Sequence, residues 1–198
     1  MRVTIFDYGA GNLHSLAKAV ATAGVEPSVE GDPLAAIRTD VLLLPGVGAF
    51  PHAAERLAAG RDAMREALAA GLPCLGICLG MQLLFGASDE GEGEGLGLLP
   101  GRVTRIRADR LPQIGWNAVE DAVDPLLSRA PLREAYYANS YACRPDESAL
   151  VTAWSTHEGD RFPAVVRRGR TVGMQFHPEK SSAAGVAVVR AFLEEARQ

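Results

Sequence analysis

The sequence predicts an α/β fold in which a mostly parallel sheet lies between two layers of helices. Two apolar runs of strand length, residues 41–44 and 72–77, show no alternation with polar residues. Such runs are expected of strands that are buried on both faces, as parallel strands usually are. Helical patterns follow the strands of the first half, and that alternation favours parallel strands joined by helical crossovers.

The elements of the first half follow one another in a regular order. Residues 3–8 predict a buried strand, and apolar side chains spaced as on one helix face recur from 13 to 20. Residues 41–44 predict the next strand, which a Pro-Gly pair ends. The alanine-rich segment 52–70 predicts a long helix, and 72–77 predicts the strand that follows it.

The second half is predicted to add antiparallel strands to this sheet. Short alternating runs separated by turns lie near 103–107, 134–143, 149–155, 163–168 and 171–176. A last helix is predicted to begin near Ser182. Residues 88–97 are predicted to form an acidic, glycine-rich loop, which is compatible with a lid over a site and equally with plain solvated surface. Because no repeat, linker or second core interrupts the pattern, residues 1–198 are predicted to form a single domain.

Composition and charge exclude several classes of function. The 198 residues are 47% hydrophobic and 22% charged with a net charge of −4, which is typical of a globular protein and argues against nucleic-acid binding. The chain shows neither an export signal nor a membrane-spanning stretch, so we expect a cytoplasmic protein. Cys74, Cys78 and Cys143 fit no disulfide or zinc pattern, and we expect no metal and no cofactor.

Cys78 has the neighbours of a reactive nucleophile. It lies in Gly76-Ile77-Cys78-Leu79-Gly80, between an apolar run of strand length and a helix-compatible one. Glycines on both sides permit the sharp strand-to-helix turn that exposes a nucleophile above a sheet edge. A helix N-terminus also favours the negatively charged thiolate. The same pattern is compatible with a small buried cysteine in a packing turn.

A cysteine nucleophile needs a base, and the base needs a group that orients it. His177 and Glu179 supply both at the end of a predicted strand, and Pro178 between them keeps the corner rigid. Taken alone, His177 would be interpreted as a structural histidine and Glu179 as a surface carboxylate.

Residues 44–50 supply backbone donors. Glycines just past the strand 41–44 leave N–H groups free to stabilise an oxyanion, although a Pro-Gly turn explains them equally well. Glycines also follow the first strand. NAD binding is excluded there because the third glycine of a dinucleotide-binding fingerprint is missing. The three segments that end at Gly48, Cys78 and His177 each follow a predicted strand, so we expect them to converge at the carboxyl edge of the sheet.

Three motifs, P-G-V-G, G-I-C-L-G-M-Q and Q-F-H-P-E, together resemble the class I glutamine amidotransferases over essentially the whole chain. The resemblance implies a flavodoxin-like three-layer sandwich and glutamine as the substrate. It implies Cys78 as nucleophile, His177 as base and later acid, and Glu179 as the group that orients the base. It further implies two sets of binding residues, the oxyanion set Gly46, Val47, Gly48 and Leu79 and the substrate set Gln82, Glu90, Ser140 and Tyr141.

Within that class, three further stretches resemble the glutaminase subunits of imidazole glycerol phosphate synthase. They are 7–13, 112–117 and 177–181. This resemblance implies a (βα)8-barrel cyclase subunit as the partner in a heterodimer, with ammonia passing to it. It also implies that Asn12 and Lys180 lie near the interface. Trp116 and Tyr136 are expected at the interface because they combine a large area with a polar tip, although each is also compatible with a core or rim aromatic. Position 139 departs from the pattern, because Asn139 stands where many relatives carry histidine.

Three alternatives remain open from the sequence. A glutaminase subunit of pyridoxal phosphate synthase has a similar length and triad, but the P-G-V-G-A-F and Q-I-G-W-N stretches argue against it. A γ-glutamyl hydrolase would use the same fold without a partner. In a non-catalytic flavodoxin-like binding module, the turn at Cys78 would serve packing alone.

Overall fold

The computed structural model describes residues 1–9 and 13–198. In this part of the chain the strands are β1 (Val3–Phe6), β2 (Ser28–Glu30), β3 (Val41–Leu44), β4 (Cys74–Ile77), β5 (Gly101–Arg105), β6 (Gln113–Ala118), β7 (Glu134–Asn139), β8 (Tyr141–Pro145), β9 (Val151–His157), β10 (Asp160–Arg168) and β11 (Thr171–Met174). The helices are α1 (His14–Ala21), α2 (Pro33–Ala36), α3 (Phe50–Leu57), α4 (Arg61–Ala69), α5 (Leu79–Gln82), α6 (Pro125–Arg129) and α7 (Ser182–Ala196).

The central sheet has the strand order β2-β1-β3-β4-β11-β10-β9. Neighbouring strands from β2 to β11 pair in parallel, whereas β10 and β9 extend the sheet with antiparallel pairs. The prediction of a mostly parallel sheet with antiparallel additions in the second half is therefore confirmed. Because β3, β4 and β11 are adjacent, the three loops that follow them leave the sheet at one edge.

Apolar side chains cover both faces of this sheet. All four residues of β3 are buried, and they alternate between the faces, with Leu43 in one hydrophobic cluster and Leu42 and Leu44 in the other. Buried side chains of α1 and α7 belong to the first cluster, and those of α3 and α4 belong to the second. Burial on both sides explains why β3 and β4 are uninterrupted apolar runs.

Two predicted segments are divided in the structure, because the chain turns where its composition stays uniform. The run 134–143 is two strands separated at Ser140, and these pair with different partners outside the central sheet, β7 with β6 and β8 with β5. The predicted helix 52–70 is broken into α3, a short helical turn (Ala58–Gly60) and α4. Gly60 lies close to α2, since an added Cβ would be 2.8 Å from Pro33.

Candidate active site

A strained turn carries the candidate nucleophile between β4 and α5. Cys78 has φ 48° and ψ −102°, a conformation that non-glycine residues rarely adopt. Its N–H donates to the carbonyl oxygen of Met174 at 2.6 Å, which joins the turn to β11. A Cβ on Gly76 would lie 2.6 Å from the carbonyl oxygen of Gly80, and a Cβ on Gly80 would overlap the carbonyl oxygen of Leu44. Both flanking glycines are therefore required by close backbone contacts.

His177 and Glu179 form a buried hydrogen-bonded pair next to this turn. Nδ1 of His177 donates to Oε1 of Glu179 at 2.8 Å, and the two side chains are 2% and 8% exposed. Burial alone would lower the pKa of His177, but its interactions with Cys78 and Glu179 outweigh burial and raise that pKa to about 10. The protonated, positively charged ring is therefore favoured at this position.

The glycine segment after β3 passes directly over these residues. A Cβ on Gly46 would lie 2.9 Å from Cε1 of His177 and 3.0 Å from Cβ of Cys78, so only glycine fits between them. Gly48 has φ 113°, which also favours glycine. Leu79 is the first residue of α5, and an N–H at that position has no partner within the helix. Of the residues expected to form the oxyanion site, Gly46 and Leu79 therefore lie next to Cys78.

The acidic loop 88–97 is attached to the start of α3. Oε2 of Glu90 accepts a hydrogen bond at 2.8 Å from the N–H of Phe50, the first residue of that helix. Ion pairs from Arg102 to Asp89 and from Arg61 to Glu94 hold the two ends of the loop. Glu90 is thereby fixed at the far end of the glycine segment, instead of standing on a free lid as the loop composition suggests.

A chain of amide side chains runs from the sulfur into the protein. Nε2 of Gln175 lies 3.5 Å from Sγ of Cys78, and Oε1 of Gln175 accepts from Nε2 of Gln82 at 3.3 Å. The same Gln82 nitrogen donates at 3.1 Å to the carbonyl oxygen of Tyr141, which also accepts from Nδ2 of Asn139 at 3.0 Å. Ser140 precedes this carbonyl, at the bend between β7 and β8.

Sequence reasoning gave no role to Gln175 or to the side chain of Asn139. The available signal was a glutamine between the apolar residues Met174 and Phe176 at the end of a predicted strand, because a buried amide needs partners. The position of the partner amides depends on tertiary structure, since Gln82 is 93 residues away from Gln175.

The expected interface residues lie on the outer face of the β6–β7 pair and on the adjoining turn. Trp116 is directly opposite Tyr136 in the strand register and is 55% exposed, and the neighbouring Ile114 is 67% exposed. Tyr136 is half-buried, and its carbonyl oxygen accepts from the N–H of His177 at 2.8 Å. Lys180 is exposed beside Glu179. The remaining interface prediction, Asn12, lies outside the described residues.

Residues 1–9 and 13–198 contain neither a cluster of metal ligands nor a helix that could span a membrane. No group of three or more His, Cys, Asp or Glu side chains is arranged to hold a metal ion in these ranges. Likewise, none of the helices in these ranges combines the length and the apolar character needed to cross a bilayer.

Comparison with known proteins identifies the family of this chain. The model of the glutamine amidotransferase class-I family matches residues 4–196. A relative from Symbiobacterium thermophilum, named imidazole glycerol phosphate synthase subunit HisH, is 48% identical, and the match covers 95% of this chain and 91% of the relative. A relative of the same name from Halobacterium salinarum is 41% identical over 97% of this chain and 92% of its own.

A solved glutamine amidotransferase from Thermotoga maritima has a TM-score of 0.73 over 99% of this chain and 97% of its own. At 18% identity this likeness concerns the fold alone. The family match extends over nearly all of the sequence, and relatives share more than 40% of its residues at high coverage. The chain therefore belongs to the class-I glutamine amidotransferase family.

Proposed function

We propose that this protein is the glutaminase subunit of an imidazole glycerol phosphate synthase and that residues 1–198 act as one glutaminase domain. The names of the relatives from Symbiobacterium thermophilum and Halobacterium salinarum support the assignment. The observation that carries it is the strained Cys78 turn, held against the buried pair of His177 and Glu179. The expected cytoplasmic location stays a prediction.

The proposed reaction has two covalent steps. The thiolate of Cys78 attacks the side-chain carbonyl carbon of glutamine, and the new C–S bond places negative charge on the oxygen. His177 gives its proton to the amide nitrogen, the C–N bond breaks, and ammonia leaves. His177 then removes a proton from water, which attacks the thioester, breaks the C–S bond and releases glutamate. Glu179 keeps the ring oriented and stabilises the imidazolium through the 2.8 Å hydrogen bond.

Two groups of residues bind the substrate in this proposal. Backbone N–H groups of the segment Gly46, Val47 and Gly48, together with that of Leu79, stabilise the oxyanion. Each such donor typically lowers the barrier by about 3–4 kcal/mol. The remaining substrate contacts come from Gln82, Glu90, Ser140 and Tyr141. Because Oε2 of Glu90 accepts from Phe50, its other oxygen is the one assigned to the α-amino group of glutamine.

A partner subunit belongs to this proposal because ammonia needs a protected route. In neutral water most ammonia is protonated and no longer nucleophilic. We assign the partner to a (βα)8-barrel cyclase that makes imidazole glycerol phosphate and aminoimidazole carboxamide ribotide. Its docking surface includes Ile114, Trp116 and Tyr136, since exposed aromatic side chains favour interfaces. Lys180 and the expected Asn12 complete that surface.

Labelling with a diazo-ketone analogue of glutamine tests the nucleophile. The diazo carbon takes up a proton, the thiolate then displaces nitrogen gas from that carbon, and the new C–S bond lets mass spectrometry identify the modified cysteine. We expect modification at Cys78 and none at Cys74 or Cys143, which are fully buried and have pKa values raised by that burial. An unmodified Cys78 would refute the catalytic assignment and favour the packing module.

Activity of the complex tests the partner. With a barrel cyclase bound, Cys78→Ala is expected to abolish glutamine-dependent synthesis and to leave ammonia-dependent synthesis intact. Loss of both activities contradicts the division of labour. Rapid glutamine hydrolysis by the isolated chain, unchanged by the cyclase, favours a γ-glutamyl hydrolase, and stimulation only by a pyridoxal phosphate synthase subunit favours that alternative.

A further inference from the structure

Gln175 is a buried polar residue that the proposed mechanism leaves without a role. It follows β11, its side chain is fully buried, and its backbone N–H donates to Ala164 at 2.9 Å. Its side-chain nitrogen lies 3.5 Å from the sulfur of Cys78. A hydrogen bond from a buried amide stabilises a negatively charged nucleophile more strongly than one from an exposed amide, because the protein interior has a lower dielectric constant than water.

The orientation of this amide follows from its neighbours. The carbonyl oxygen of Tyr141 can only accept, so the group of Gln82 that faces it at 3.1 Å is the NH2 group. The same nitrogen of Gln82 is 3.3 Å from Gln175, which must therefore present its oxygen there and its NH2 group to Cys78. With the opposite orientation, two NH2 groups would face each other and an amide oxygen would face the sulfur.

The sulfur has a different partner in each protonation state. As a thiol, Cys78 donates to the carbonyl oxygen of Ala138 at 3.9 Å. A thiolate has no proton to give and instead needs donors. The NH2 group of Gln175 lies 3.5 Å from the sulfur, so it is a donor in addition to the ring of His177.

We infer that Gln175 is a further catalytic residue, whose amide donates a hydrogen bond to the Cys78 thiolate, and that Gln82 is a positioning residue that holds this amide in the donating orientation. The inference rests on the proposed function, since it assigns a role in activating the same nucleophile. The amide neither gains nor loses a proton, so it stays neutral throughout the reaction. It stabilises the ionised sulfur before attack and again when the thioester is cleaved.

Alkylation of the full chain by iodoacetamide tests this inference. The thiolate attacks the carbon that carries iodine, a C–S bond forms and iodide leaves. The reaction does not require iodoacetamide to bind in the glutamine site. The rate at Cys78 is measured by mass spectrometry between pH 5 and pH 10 for the wild type and for Gln175→Met, which keeps the side-chain length and removes the donor. We expect the inflection of rate against pH to move upward and the rate below the wild-type inflection to fall about tenfold.

Two further variants sharpen the test. Gln175→Glu places a carboxylate near the sulfur and is expected to shift the inflection upward by more than the methionine variant does. If Gln175→Met fails to fold, Gln175→Glu replaces it as the test variant. Gln113→Met is the matched control, because Gln113 is an equally long amide, 5% exposed on β6, and its profile is expected to overlay the wild type.

Each remaining outcome overturns a specific statement. Overlapping profiles for the wild type and Gln175→Met remove Gln175 from catalysis and leave the proposed function standing. An equal shift in Gln113→Met shows general loosening and also overturns the role of Gln175. If Cys78 of the wild type reacts no faster than the buried Cys74 and Cys143, the proposed function fails together with the inference.

Discussion

The backbone N–H of His177 donates to the carbonyl oxygen of Tyr136 at 2.8 Å, and this bond joins the imidazole loop to strand β7. Ser181 reinforces it, because its hydroxyl donates to the carbonyl oxygen of His177 at 2.7 Å and accepts from the N–H of Tyr136 at 2.8 Å. The strand whose outer face carries the proposed docking surface is thus the strand that supports the base.

Removal of the exposed indole is the first prediction. Trp116→Ala is expected to weaken binding of the cyclase subunit by about 2 kcal/mol or more, because a large aromatic side chain at the centre of an interface dominates its energy. Calorimetric titration measures this change. Val123→Ala is the control, since Val123 is 72% exposed and lies outside the β6–β7 face, and an equal loss there contradicts the assignment of the surface.

The second prediction concerns the carboxylate behind the base. Glu179→Gln is expected to reduce kcat for glutamine by roughly 10²-fold or more with little change in KM, since general acid–base catalysis typically contributes 10²–10⁴-fold. Glu179 also helps to raise the pKa of His177 to about 10. In the variant that pKa falls, so the imidazolium is lost at lower pH and the alkaline decline of kcat/KM begins earlier.

Steady-state kinetics between pH 6 and pH 10, with the partner bound, measure both effects. Glu66→Gln, an exposed glutamate of α4, supplies the control and is expected to match the wild type. If the alkaline decline of kcat/KM occurs at the same pH in Glu179→Gln as in the wild type, the carboxylate of Glu179 does not raise the pKa of His177.

The third prediction tests the space above the nucleophile. An added methyl in Gly46→Ala would lie 2.8 Å from the carbonyl oxygen of Ile77 and 2.9 Å from the ring of His177. Overpacking of this kind typically costs about 1–3 kcal/mol of stability. A displacement of about 1 Å at the reacting groups is expected to lower kcat about 10²-fold.

Gly86→Ala is the matched control for that substitution. A methyl on Gly86 meets its nearest atom, Cα of Gly97, at 3.8 Å, which is ordinary contact. The change in unfolding free energy is therefore expected to stay within about 0.5 kcal/mol. If Gly46→Ala and Gly86→Ala have the same unfolding free energy and the same kcat, the close approach at Gly46 affects neither stability nor catalysis.

The fourth prediction concerns a buried ion pair far from the cysteine. Arg167 on β10 binds both carboxylate oxygens of Asp124, at 2.9 and 2.8 Å, and the Asp124 side chain is fully buried. Arg167→Met leaves that charge unpaired and is expected to cost roughly 3–5 kcal/mol of unfolding free energy. Arg65→Met breaks an exposed pair with Asp62 and is expected to cost at most about 1 kcal/mol.

This pair also gives the sign of a pH dependence. Burial raises the pKa of Asp124, but hydrogen bonds from Arg167 and from the Leu126 N–H outweigh burial and hold that pKa below its ordinary value of 3.8. Its contribution to stability is therefore present above that value and lost as pH falls below it. In Arg167→Met the pKa of Asp124 rises, because burial is no longer opposed by the guanidinium, so the loss of stability on acidification is expected to become smaller, which chemical denaturation at several pH values detects.

The sequence predicted the elements whose signal is local. Strand β3 was predicted with correct bounds, because its four residues are apolar and a Pro-Gly pair follows. The turn at Cys78 was predictable since its flanking glycines are adjacent in sequence. The three-residue strand β2 was missed because none of its side chains is buried, and an exposed edge strand leaves no hydrophobic pattern.

What could not be predicted depends on neighbours distant in sequence. Ser140 separates two strands of different sheets, yet the residues around it alternate like one strand. The contact between Gln82 and Gln175, and the tie between Glu90 and Phe50, join segments far apart in the chain. These contacts set the relative positions of the motif residues.

The overlap that a Cβ on Gly80 would have with the carbonyl oxygen of Leu44 has a consequence for protein engineering. The proposed nucleophile Cys78 cannot be transplanted as a short peptide, because its backbone is shaped by the ends of two other strands. A designer who wants this thiol in a new scaffold must transfer the ends of β3, β4 and β11 together as one block.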